Sequence, residues 1–214
     1  MENYGNMLQI IILCGCSFFA FFRMVIKRRK EWTRLFYFFG SFLLGDVYWQ
    51  VCLLFNRELS PVALVADFCW YTSYVCLILL EICIIKDAAQ NDELKNNGPL
   101  RFLPFLAPVF TGGMALFYIT WGQVINNIIY AVLMGATLFL AITGLTLKKS
   151  PETKRIKLFC MAVLLYCFFE YSAWTVSCFS EIEIMYRAYV VFDSLMTLSF
   201  LLFIPATAAV VKED

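Results

Sequence analysis

The sequence predicts an all-α, polytopic membrane protein, a single domain over residues 1–214 with seven transmembrane helices. Three observations lead there. Hydrophobic residues make up 62% of the chain and charged residues 15%, against an apolar share of roughly 45–50% in soluble domains. The apolar residues fall into seven runs, each long enough to cross about 30 Å of hydrocarbon. When those runs are threaded through a membrane, nearly all basic residues gather on one side. Seven spans with short loops leave no room for a soluble catalytic or output domain.

The first run, 7–26, ends in Lys27-Arg28-Arg29-Lys30. A secretory leader carries its positive charge before the apolar stretch. Here the charge follows it, so the run reads as a retained helix. The second span, 32–55, carries Asp46 and Trp49. The third, 61–85, opens on Pro61 and holds Glu81 near its inner end, where Lys86 can reach it by snorkelling; the sharper reading makes Glu81 a second polar step toward the cytoplasm. Residues 86–101 contain Asn96-Asn97-Gly98-Pro99 and form a turn-rich connector. The remaining spans are 102–120, 123–147, 158–178 and 186–211. Trp32 and Trp121 read as interface-belt residues.

Orientation follows from charge. With the N-terminus outside, every Lys and Arg except Arg57 and Arg187 lies on the cytoplasmic side, as the positive-inside rule requires. The expectation is a multi-pass protein of the plasma (cytoplasmic) membrane, C-terminus inside, with the lipid bilayer as its first partner. The chain also suggests a three-plus-one-plus-three parallel repeat. The basic boxes at Lys27–Lys30 and Lys154–Lys157, the pair Asp46 and Glu170, and the pair Asp67 and Asp193 recur at a nearly constant offset.

The formal net charge is +1, and no basic face exists outside the loops, which gives no support to nucleic-acid binding. Histidine is absent, which removes Ser-His-Asp and Cys-His catalysis in their usual form, His-ligated haem and mixed His/Cys zinc sites. No cofactor and no metal site is expected. The nine cysteines form no CxxC pair and read as small apolar packers; whether Cys52 and Cys178 pair is left open.

Charged groups inside lipid cost roughly 2.5–3.5 kcal/mol each on the lenient insertion scale, so each needs a partner or a watered cavity. At 1.5 Å per residue, Asp46, Asp67, Glu170 and Asp193 lie about 8–14 Å below the outer edge, in one layer. Their helical neighbours are polar or aromatic: Trp49 and Gln50 beside Asp46; Trp70, Tyr71 and Tyr74 beside Asp67; Tyr166 and Trp174 beside Glu170; Tyr186, Tyr189 and Thr197 beside Asp193. The fifth span adds Gln123, Asn126, Asn127 and Tyr130, and Arg187 is a nearby counter-charge. One reading makes these residues glue for the bundle. The other makes Asp46, Trp49, Gln50, Asp67, Trp70, Tyr71, Tyr74, Asn126, Asn127, Tyr130, Glu170, Trp174, Arg187 and Asp193 a ligand-binding pocket. Acids and aromatic faces favour a cationic small molecule, an ion or a proton.

Gly45-Asp46-Val47-Tyr48-Trp49, then Leu59-Ser60-Pro61, then Ala66-Asp67-Phe68-Cys69-Trp70-Tyr71 resemble the seven-helix membrane sensory regions at the N-termini of some bacterial diguanylate cyclases and histidine kinases. The resemblance covers about 40 residues. It implies a receptor or sensor of a bacterial inner membrane. The sequence ends at Lys212-Glu213-Asp214 with no cyclase or kinase following, so the resemblance implies a stand-alone form whose output needs a separate cytoplasmic signalling partner. Gly45-Asp46 and Phe192-Asp193-Ser194 also resemble membrane lysoplasmalogenases. Two alternatives therefore stand beside the sensor: a small proton- or cation-coupled transporter, and a lipid hydrolase working through carboxylate acid–base chemistry. No catalytic residue is named by the sequence.

Overall fold

The computed structural model of the chain describes residues 2–55, 65–90, 93–96, 98–122 and 124–211, without the side chains of residues 2–4 and 87. Arg57, Pro61 and Gln123 lie outside the described residues. The described chain is helical throughout, in seven helices: α1 (Glu2–Lys27), α2 (Lys30–Leu54), α3 (Val65–Gln90), α4 (Leu106–Tyr118), α5 (Val124–Thr146), α6 (Pro151–Ser177) and α7 (Glu183–Val210). All seven stretches are long and apolar enough to cross a membrane, the fourth only when the 3₁₀ turns before α4 are included. The chain is a seven-helix, polytopic membrane protein.

Polarity is arranged inside out relative to a soluble domain. Ile11, Phe18, Leu116, Ile125, Val132 and Phe168 point outward and are exposed, whereas Asp46, Asp67, Glu81, Glu170 and Thr197 are buried. A lipid-facing exterior requires this pattern, because lipid cannot satisfy polar groups.

Neighbouring helices close a ring in the order α1, α2, α3, α5, α6, α7, with α7 returning to α1; α4 packs outside it on α5. Each half of the chain supplies three consecutive members of the ring, and α4 belongs to neither. The middle of the ring is aromatic. Phe38 meets Phe203 at 5.3 Å between ring centroids, Phe42 meets Phe200 at 5.0 Å and Tyr166 meets Phe200 at 5.4 Å.

Several boundaries differ from the expected ones, each for a local reason. The fourth span starts early, at Pro99, and runs to Phe105 as a 3₁₀ segment before α4 begins. Pro104 inside it lacks the N–H that α-helical pairing needs. α6 starts seven residues before the apolar run. Ser150 caps it by accepting from the Thr153 N–H (3.1 Å), the Thr153 hydroxyl oxygen accepts from the Ser150 N–H (2.8 Å), and Pro151 occupies its first turn. The basic residues Lys154, Arg155 and Lys157 are therefore helical. Between α1 and α2 the link is two residues long, and Arg28 takes a left-handed φ of 49° to make it.

Two expectations at the level of single residues are corrected, those for Trp32 and Glu81. Trp32 is fully buried and is not a belt residue; it packs against Phe19, with the Arg23 guanidinium 5.8 Å from its ring. Trp121 is exposed. Glu81 is not paired with Lys86: it is buried with neither carboxyl oxygen bonded, while Lys86 is exposed. Cys52 and Cys178 are both free thiols.

Candidate functional site

The site lies at the end of the bundle where α1, α3, α5 and α7 begin and α2 and α6 finish. There Gly45 lets α3 come close. A Cβ at position 45 would sit 2.6 Å from Trp70 Nε1, so only a glycine leaves room for the indole against α2. The same approach lets Trp70 Nε1–H donate to Asp46 Oδ1 at 3.0 Å. The second oxygen, Oδ2, is buried and has no hydrogen-bond partner.

The other acids are held by different helices. Asp67 Oδ2 accepts from Asn126 Nδ2 of α5 at 3.2 Å. Glu170 on α6 accepts from the Tyr74 hydroxyl of α3, and the Tyr166 hydroxyl donates in turn to Tyr74 Oη at 2.9 Å. Asp193 of α7 interacts electrostatically with both Asp46 and Glu170.

These elements enclose one cavity of about 580 Å³, lined by Asp46, Trp49, Asp67, Trp70, Asn126, Asn127, Tyr130, Glu170, Trp174 and Asp193. Its size falls within the range of small-molecule sites, roughly 300–1,000 Å³. Two aromatic walls face it. On one side Trp49 lies 6.2 Å from Trp70 between ring centroids, and Phe42 packs against Trp70. On the other, Tyr130 meets Trp174 edge to face at 4.6 Å. No Lys or Arg is among the described lining residues. The described lining therefore presents carboxylates and aromatic faces without a Lys or Arg among them, an arrangement suited to holding positive charge.

Four expected site residues do not line the cavity. Gln50 is buried in helix packing with its Oε1 unbonded. Tyr71 packs its ring on Tyr130 at 4.9 Å, behind the wall. Tyr74 lies a layer deeper and helps form the floor through Glu170. Arg187 is a correction of another kind. Its exposed guanidinium bonds Glu183 one turn back on α7, at 2.5 Å, so it offers the chamber no counter-charge.

Residues not singled out in the sequence complete the lining, chiefly Asn6 and Gln9 from α1, Met196 from α7 and Phe42 from α2. Asn6 and Gln9 are one turn apart near the start of an apolar run, a polar pair that could have been read as facing inward. Only ring closure by α1 on α7 shows what they face. Tyr189, placed by its spacing on the Asp193 face, also lines the cavity.

No protein-family model matches the chain, and no curated protein or solved structure matches it significantly.

Proposed function

We propose that the protein is a ligand-binding membrane protein of receptor or sensor type, and that its occupant is a cation held in the acidic, aromatic-walled chamber. The observation that carries this reading is the chamber itself: four carboxylates from four helices converge on one cavity that has no Lys or Arg among its described lining residues. Glue for the bundle would satisfy both oxygens of each acid and leave no space between them. Asp46 instead keeps one buried oxygen unbonded, beside a volume large enough for an organic amine or quaternary ammonium.

On this reading the chamber faces outward from a plasma (cytoplasmic) membrane, and the basic boxes face the cytoplasm, following the positive-inside rule. The likeness of Gly45–Trp49 and Ala66–Tyr71 to bacterial sensory regions supports the sensor assignment, with output passed to a separate cytoplasmic signalling partner. A cytoplasm-only reporter is expected to work after Asp214 or between Asp87 and Leu100, and to fail after Asn56; the reverse pattern would invert the proposed orientation.

The test of the site is direct titration of the purified protein with tetramethylammonium and phenethylammonium, followed by tryptophan fluorescence. Trp49, Trp70 and Trp174 report from the walls. Binding is expected, and Asp46→Asn, Asp67→Asn, Glu170→Gln and Asp193→Asn are each expected to weaken that of phenethylammonium about tenfold or more, given roughly 1.5–3 kcal/mol for a hydrogen bond to a charged group, and that of tetramethylammonium, which has no N–H to donate, through lost Coulomb attraction alone. Wild-type affinity in all four well-folded variants, or preferential binding of an anion, would refute the assignment.

A further inference from the structure

Glu81 stands apart from the chamber and has no structural task. It is fully buried, and neither carboxyl oxygen has a hydrogen-bond partner. No charged side chain among the described residues acts on it. An acid that glues helices together does so through a partner. An acid retained inside a membrane bundle without one is the kind found on ion and proton paths.

Its position supports that role. Glu81 lies seven residues beyond Tyr74 on α3, two turns along the same face and about 10 Å away. Tyr74 belongs to the chamber floor through its bond to Glu170. On the other side, Ile84 and Ala88, one and two turns further along the Glu81 face, line a second cavity of about 350 Å³ at the basic end of the bundle, which also exposes Arg29, Glu31, Cys83, Glu152 and Arg155. There Cys83 Sγ donates to Glu31 Oε1 at 3.3 Å. The titratable groups that reach Glu81 electrostatically are the Cys160 and Cys167 thiols of α6, and Cys167 interacts with Glu170 as well. Glu81 is thus an acid between two cavities at opposite ends of the bundle.

We infer that Glu81 carries a proton between the two cavities, giving the protein a transmembrane proton-transfer activity beyond ligand binding. Water in the basic-end cavity gives a proton to the Glu81 carboxylate. Glu81 releases it toward the floor through water admitted into the two-turn interval. The Tyr74 hydroxyl then hands its own proton to the Glu170 carboxylate and is reprotonated from behind. Glu170 finally releases the proton to water in the chamber it lines, so each carboxylate is restored; only O–H bonds form and break, and the reverse sequence runs the path the other way.

The experiment uses the full chain in proteoliposomes. A potassium gradient with valinomycin makes the interior negative, and an entrapped pH-sensitive dye reads proton entry. Wild-type protein is expected to admit protons faster than empty vesicles. Glu81→Gln, which keeps the shape of the protonated acid, is expected to cut that entry at least tenfold, and Glu81→Asp to retain part of it. Tetramethylammonium binding to the chamber is unchanged in both, so the two assignments fail separately. A hydrophobic carbodiimide, which reacts with protonated buried carboxyls, is expected to label Glu81 in the unmutated protein and stop entry. Proton entry no faster than in empty vesicles, undiminished entry in folded Glu81→Gln, or undiminished entry after Glu81 is labelled would overturn the inference.

Discussion

At Asp46 the two carboxyl oxygens have separate fates. Oδ1 is tied to Trp70, while Oδ2 remains unbonded in a buried position. The tie depends on Gly45, because a Cβ there would meet the rigid indole at 2.6 Å. Gly45→Ala is therefore expected to destabilise the protein by about 1–3 kcal/mol, the usual range for overpacking, and to shift the emission of Trp70 as the ring is pushed from α2. Thermal unfolding in detergent and a fluorescence spectrum check both parts. Trp70→Phe separates the two roles of that residue. It keeps an aromatic face for a cation but removes the N–H donor, so it is expected to weaken phenethylammonium binding less than Trp70→Ala does. Equal losses in the two variants would mean that the ring contributes nothing beyond its hydrogen bond.

Helix ends show where local chemistry decides more than hydropathy. The α6 start is set by Ser150 and Thr153 capping each other across one turn, and this places three basic residues on a helix that the apolar pattern begins at position 158. Ser150→Ala is expected to lower stability by about 1 kcal/mol, measured as a fall in unfolding midpoint, with little effect on the chamber at the far end of α6. The α1–α2 link works by a different device. Arg28 N–H donates to Met24 O at 2.9 Å, closing α1 with a left-handed residue. A side chain in that conformation costs roughly 1–2 kcal/mol, which glycine avoids. Arg28→Gly is accordingly expected to raise the unfolding midpoint; a lower midpoint would show that the Arg28 side chain contributes more than its strain costs.

Across the whole molecule, six helices form a ring whose interior holds polar groups at one end, an aromatic plug in the middle and a buried acid toward the other end. The hydrophobic effect does little to hold helices together once they are in lipid, so packing and interhelical hydrogen bonds carry the association, at about 0.6–2 kcal/mol for each bond. Trp70 to Asp46, Asn126 to Asp67 and Tyr74 to Glu170 are therefore fold and site at once. A global pH dependence follows. On the proposed reading the chamber attracts a cation while its carboxylates are ionised, and the attraction is lost as pH falls and they take up protons. Affinity for tetramethylammonium, which does not titrate, is expected to drop on acidification. Affinity that stays constant across the acid range, with the fold intact, would mean that the aromatic walls alone hold the cation.

The sequence by itself determined the class, the seven spans and the acids within them, because lipid imposes a length and a polarity on every segment that crosses it, and an acid inside such a segment stands out. Asp46, Asp67, Glu170 and Asp193 were legible for that reason, as were their aromatic neighbours at helical spacing. Tertiary structure decided what those residues do together. Helical periodicity gives a face but not the helix it faces, so the contribution of Asn6 and Gln9, the retreat of Tyr71 behind Tyr130 and the isolation of Glu81 all waited on the closing of the ring. Arg187 is the opposite case, decided locally. In the sequence it was a nearby positive charge for four acids; in the fold the first turn of α7 sets it beside Glu183, since a partner one turn away on the same helix needs no tertiary contact to be reached.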